Sequence, residues 1–368
     1  MSKEALTASR MACWTLCQRK HLFAYDRGVR KIESGDALVF GTAWHKAQEV
    51  YYNTRDIASE SPDFTPEENK SDLAQGMFEA ALATAENWDE FTVAKLQACI
   101  AAFVEHYYGK DIIAEMKPEV EFAYAIEGTR TFEARGKIDG LATLADGRTA
   151  LVEHKTTSES VDVESPYWTR LRFNPQLCRY VLGARALGVN CETVIYDVFR
   201  KPAISPKDAV KDLDENGLPY VLDANGDRCI KRDGTPKKSA DAAKGETYRT
   251  HAETPDEYAE RLRADMMERP EFYFARREVT VTDAQLEAFM LQERMMAGQI
   301  VDARANGRDA VKRGLPYDSA FMMNVGKMTC DTCDYAPFCL AGQPIDWACP
   351  PPGFAVVGAT PELEGGKS

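Results

Sequence analysis

Two neighbouring stretches constrain this chain more than any others. Gly136-Lys137-Ile138-Asp139 is followed, after a turn at Asp146-Gly147, by Leu151-Val152-Glu153-His154-Lys155-Thr156. Alternate side chains of a strand share a face, so Glu153 and Lys155 point one way and His154 the other. A two-residue turn at Asp146-Gly147 would pair Asp139 with His154 and aim Asp139 away from Glu153. Two carboxylates and a lysine act together only from one side, so the sequence predicts an odd-length turn or a bulge. So arranged, Asp139 and Glu153 offer hard oxygen ligands to Mg²⁺. Lys155 would steady negative charge or orient a water.

Further motifs flank this hairpin in order. Phe40-Gly41-Thr42-Ala43-Trp44-His45 opens a stretch in which Trp44, Ala47, Val50 and Tyr51 recur at helical spacing, which puts His45 near the first turn of a helix. Downstream, Asn174-Pro175 reads as an N-cap followed by proline at the first helical position. Gln176 and Tyr180 then share a helix face. Each motif has a bland reading: incidental charges on an exposed hairpin, a structural histidine, a core tyrosine with a polar neighbour. Four in this order are more specific. Gly41-x-x-x-His45, Asp139, Glu153-x-Lys155 and Gln176-x-x-x-Tyr180 together resemble the RecB-like branch of the PD-(D/E)XK nuclease superfamily. The resemblance implies Asp139, Glu153 and Lys155 as catalytic residues. It implies His45, Asp139, Glu153 and the backbone carbonyl of His154 as ligands of Mg²⁺ or Mn²⁺. Gln176 and Tyr180 would meet the nucleic-acid backbone.

Ten cysteines in 368 residues are too few for a disulfide scaffold. Cys330, Cys333 and Cys339 nevertheless form C-x₂-C-x₅-C, a metal half-site whose missing ligand must come from far away in sequence. The segment Cys13-Trp14-Thr15-Leu16-Cys17-Gln18-Arg19 is the evident donor. One cysteine before a nuclease core and three after it resemble the iron–sulfur staple of AddB-like nucleases and CRISPR-adaptation exonucleases. The resemblance implies a 4Fe–4S cluster on Cys17, Cys330, Cys333 and Cys339. Cys17 fits better than Cys13, because the family places an arginine two residues later and aromatics soon after, here Arg19, Phe23 and Tyr25. Zinc, or free reduced thiols, remains the alternative.

A net charge of −13 is unusual for a nucleic-acid-binding chain. Locally the balance reverses. Residues 10–31 hold Arg10, Arg19, Lys20, Arg27, Arg30 and Lys31 against Asp26, and Arg170, Arg172 and Arg179 lie among Trp168 and Phe173. Basic residues among aromatics suit single-stranded DNA in a confined path. The chain shows no signal peptide and no membrane-length apolar run, and free thiols suit a cytoplasmic location.

Periodicity predicts helices over 41–54 and 94–108, a loop over 56–74, and strands over 120–126, 131–138, 140–145, 149–154 and 191–199. No internal repeat is evident. The expected fold is α/β: a restriction-endonuclease-like core with a mixed central sheet flanked by helices, its N- and C-terminal segments joined by the cluster. It would form one domain over 1–345, with an insertion at about 201–252 carrying a hairpin at Asn225-Gly226. Residues 346–368 would be a disordered tail. The implied activity is that of a metal-dependent DNA exonuclease on single-stranded ends, in recombination, repair or end-processing. Without ATPase motifs, unwinding would fall to a helicase or recombination partner. The alternative is a nuclease-fold DNA-binding or assembly subunit with an idle site.

Overall fold

Strands buried on both faces read as unbroken apolar runs, and Leu151-Val152 and Val194-Ile195 form the middle of a mixed sheet in the computed structural model of the protein. The structure describes residues 3–32, 36–59, 65–85, 87–341, 349–360 and 363. Its strands of three or more residues are β1 (Glu4–Leu6), β2 (Val29–Lys31), β3 (Ile113–Ala125), β4 (Phe132–Leu144), β5 (Thr149–Thr157), β6 (Thr193–Arg200), β7 (Phe274–Thr280) and β8 (Phe354–Val356). The main sheet runs β1-β4-β5-β6-β7, with β3 also paired to β4. β1–β4 and β5–β6 are parallel; β3–β4, β4–β5 and β6–β7 are antiparallel.

Two helical layers cover this sheet. Helices α2 (Asp36–Ser59), α3 (Pro66–Leu82), α4 (Glu90–Tyr107) and α7 (Pro255–Glu268) share a core with Ala150, Val152, Ile195 and Phe199. On the other face, α5 (Pro166–Arg172) and α6 (Pro175–Ala186) pack on Leu151, Val194, Tyr196 and Val198. Gly136 and Gly183 are required here, because a Cβ at either would lie within 2.6 Å of the Phe122 ring. A third core joins the two ends of the chain: α1 (Ala8–Leu16) and Leu22–Tyr25 pack with α8 (Asp283–Lys312), Phe321 and Tyr335.

Several expectations change. His45 lies in the third turn of α2 rather than the first, because the helix begins at Asp36. The loop expected over 56–74 gives way to α3 from Pro66, which starts with a Thr65/Glu68 capping box and buries Leu73, Met77 and Ala81. That stripe is sparse enough for its polar neighbours to hide it. The strands expected at 131–138 and 140–145 are one, β4, bridged by Gly140. Within 346–368, β8 pairs antiparallel with β2, so part of the expected disordered tail is ordered by strand pairing. Cys330 and Cys339 sit in short helices, Lys327–Cys330 and Ala336–Ala341.

The insertion does contain a repeat. Hydrogen bonds from Asp214 N to Leu218 O, Asp223 N to Asp227 O and Lys231 N to Thr235 O close three successive small turns. Gly217, Gly226 and Gly234 take their left-handed positions, with φ of 73°, 88° and 81°. Bridges Leu213↔Pro219, Leu222↔Arg228 and Ile230↔Pro236 flank the turns. Aspartates 214, 223 and 233 each accept backbone N–H groups at the turn, and this recurrence of Asp and Gly is the signal that apolar periodicity passes over.

Candidate active site

The β4–β5 turn is odd. Leu144 N donates to Arg148 O at 2.8 Å, which leaves three residues between them, with Gly147 at φ 85°. The ladder then runs Thr143↔Thr149 to Gly140↔Val152, and the next step faces Asp139 with Glu153. The pairing ends there. The Asp139 carboxylate instead accepts the His154 backbone N–H at 2.9 Å. β4 also changes face at this point: Ala142 and Leu144 belong to the α2/α4 core, whereas Ile138 packs with α6. Asp139 thus stands where the strands part, beside both layers.

From one layer comes His45. Trp44, its neighbour on α2, stacks on Phe199 of β6 with ring centroids 4.1 Å apart. His45 Nδ1 then lies 3.5 Å from Asp139 Oδ2. From the other layer, Lys155 pairs with Glu153 and donates to Gln176 Oε1 at 3.2 Å, and Gln176 Nε2 donates to the Tyr180 hydroxyl at 2.9 Å. Tyr180 is buried. The two α6 residues therefore hold the lysine, rather than Tyr180 presenting its hydroxyl at the surface.

Burial pushes the Glu153 carboxyl up, and the Asp139 charge adds to this. Burial likewise raises Asp139, against the pull of His154 and Lys155. Burial would lower the Lys155 amine, but the Glu153 carboxylate outweighs it and holds the amine above its ordinary range. Burial and the neighbouring His154 imidazole lower His45 to about 4, which leaves it neutral and able to ligate. Glu153 is 1% exposed, and its Oε2 has no hydrogen-bond partner among the described residues. Two raised carboxylates, an orphaned oxygen and a neutral imidazole form a donor set suited to a hard divalent cation.

On the far side of β5 the electrostatics reverse. His154 Nδ1 meets Asp197 Oδ2 at 3.1 Å, Arg276 binds both Asp197 and Asp111, and Arg55 Nη1 meets Asp111 at 2.8 Å. Burial alone would raise Asp197, but Arg276 and His154 hold it well below the usual carboxylate range. This buried network anchors the strand segment that carries the site. A charged Asp197 in the otherwise apolar 194–199 stretch is its only trace in the sequence.

Glu119 is a second residue that strand alternation does not reveal. The β3–β4 ladder steps from Pro118↔Gly140 to Val120↔Ile138, placing Glu119 across from Asp139.

The cysteines converge as well. Cys17, Cys330, Cys333 and Cys339 line one small cavity together with Arg19 and Lys20, and Cys13 is not part of that lining. The surrounding contacts span the chain: Arg19 N donates to Met322 O at 3.2 Å and Asn324 Nδ2 to Leu16 O at 2.9 Å. The basic residues behave differently from expectation. Arg10 is buried against Glu4 and Asp26, Arg179 pairs with buried Glu293, and Arg170 pairs with Glu159. Among the described residues, no helix is long and apolar enough to cross a membrane.

The chain matches the family described as PD-(D/E)XK nuclease superfamily over residues 5–340. No curated protein matches. Among solved structures, that described as "Crystal structure of SSO0001" is 12% identical over 62% of this chain and 72% of its own, with a TM-score of 0.20, too loose a superposition to carry an argument.

Proposed function

The chain belongs to the PD-(D/E)XK nuclease superfamily, and we propose that it is a divalent-metal-dependent deoxyribonuclease acting as an exonuclease on single-stranded ends. One observation carries the reading: His45 lies 3.5 Å from Asp139, whose carboxylate accepts the His154 N–H where β4 and β5 part, and on β5 beside it Lys155 pairs with Glu153. Asp139, Glu153 and His45, with the His154 carbonyl, would hold Mg²⁺ or Mn²⁺. When bound, the cation supplies a lowered water pKa and neutralises charge building on the phosphate. Lys155, steadied by Glu153 and Gln176, orients the attacking water and faces the scissile phosphate. Tyr180 keeps Gln176 in place. Arg172 and the exposed Phe173, at the corner between α5 and α6, suit a phosphate and a stacked base of a single strand.

Labelled single strands blocked at either end, with Mg²⁺ or Mn²⁺, test this directly. Turnover by the wild type and none by Asp139→Ala is expected, and the blocked ends report polarity. Equal cleavage by both proteins would sink the assignment. DNA binding without cleavage by the wild type would favour the idle subunit.

The four cavity-lining cysteines are read as ligands of a 4Fe–4S cluster that staples the chain ends in a reducing cytoplasm. A cluster bound to a site absent from the unfolded chain adds to folding stability. Protein purified anaerobically should be brown, as a zinc protein would not be. Cys17→Ser should bleach it and lower its melting temperature, whereas Cys13→Ser should do little. The opposite pattern would mean that Cys13 is the ligand. Repair or recombination, with a helicase partner, is the role we assign.

A further inference from the structure

We infer that Glu119 is a further ligand of the divalent cation, on the side of Asp139 shared with His45. The inference rests on the metal-site reading above and extends it to a strand that carries no motif. Donor atoms of His45, Glu119 and Asp139 all lie within 4.8 Å of one another. Oxygen ligands of one octahedral Mg²⁺ at ~2.1 Å stand about 3–4 Å apart, so a small inward movement closes the set. A structural ion pair would also put a carboxylate in this region, but three features go beyond one.

The first is backbone strain. Glu119 has φ 55°, a left-handed conformation that a residue with a Cβ adopts at a cost. Such strain persists where its surroundings hold it and gathers at functional sites. Here the ladder is intact on both sides, at Pro118↔Gly140 and Val120↔Ile138. The second is the Glu119 partner: Oε2 lies 2.7 Å from Lys137 Nζ, on the strand that carries Asp139. Lys137 steadies the carboxylate at the site while its other oxygen remains to bind a cation. The third is the buried Glu153 Oε2 on the adjoining strand β5, which has no hydrogen-bond partner among the described residues. A buried carboxylate oxygen near the set is thus left unsatisfied by protein groups. Carboxylate oxygens with one imidazole nitrogen suit Mn²⁺ and Mg²⁺.

Mn²⁺ titration of the metal-stripped protein, with free Mn²⁺ followed by electron paramagnetic resonance, separates ligand from ion-pair partner without any turnover. Glu119→Gln should weaken Mn²⁺ binding about tenfold, ~1.4 kcal/mol. Glu119→Gly, which suits the left-handed backbone, should do the same and guards against misfolding of the first variant. Asp139→Asn should also weaken binding. Lys137→Met, which keeps Glu119 and removes its partner, should bind Mn²⁺ at least as tightly as wild type. Wild-type affinity in both Glu119 variants beside a weakened Asp139→Asn overturns the Glu119 assignment and leaves the metal site standing. Wild-type affinity in all three overturns both readings. A Lys137→Met loss equal to that of Glu119→Gln overturns ligation in favour of the ion pair.

Discussion

The two sides of β5 treat buried charge in opposite ways. Toward Asp139 and Lys155, the Glu153 and Asp139 carboxyls are pushed up by burial, and a Glu153 oxygen has no hydrogen-bond partner among the described residues. One residue along, His154 points into a network where Asp197 is held low by Arg276, which also binds Asp111. Both regions are buried, so burial alone does not set the outcome. The strength of internal compensation decides it. On the Asp197 side Arg276 and His154 outweigh burial, whereas on the Asp139 side Lys155 does not, and both carboxyls stay raised.

The sharpest way to break this contrast is chemical. Asp139→Ala or Lys155→Ala should lower cleavage at least a thousandfold, about 4 kcal/mol of barrier, with the melting temperature nearly unchanged in Asp139→Ala. Single-turnover assays beside thermal melts would show it, and a large stability loss would place Asp139 with the structural network instead. Conversely, Arg276→Met strands Asp197 without its arginine and should cost about 3–5 kcal/mol of unfolding free energy, read by urea denaturation. A variant as stable as wild type would erase the distinction.

A smaller effect has the opposite sign. In chelator, Asp139→Asn should raise the melting temperature by roughly 1–2 °C, because it removes a carboxylate whose ionisation the fold disfavours. This gain depends on pH. Asp139 is raised on folding, so its ionised form opposes folding at neutral pH, and that penalty disappears as pH falls below the unfolded Asp value of about 3.9. The advantage of Asp139→Asn should therefore shrink as melts move from pH 7 toward pH 4. Asp197 behaves inversely: its folded value is depressed, so its contribution is present above the unfolded value and is lost as pH falls through the folded one.

Local patterns determined much of this protein. Strand alternation set Glu153 and Lys155 on one face with His154 opposite, and the need to bring Asp139 to that face required the odd turn that the structure shows. The Gly41-to-Tyr180 series of motifs pointed to the superfamily, cysteine spacing picked out Cys330, Cys333 and Cys339, and the family resemblance added Cys17, which lines the same cavity. These features are legible because side-chain period and short-range spacing are properties of the chain itself. Tertiary structure decided the rest. Glu119 faces Asp139 only through strand pairing, Gln176 and Tyr180 hold Lys155 only because α6 packs against that face, and Arg179 is paired with Glu293, a carboxylate distant in sequence. The difference between the two sides of β5 likewise rests on Arg276, far along the chain. Charge compensation depends on three-dimensional neighbours, which spacing along the chain does not encode.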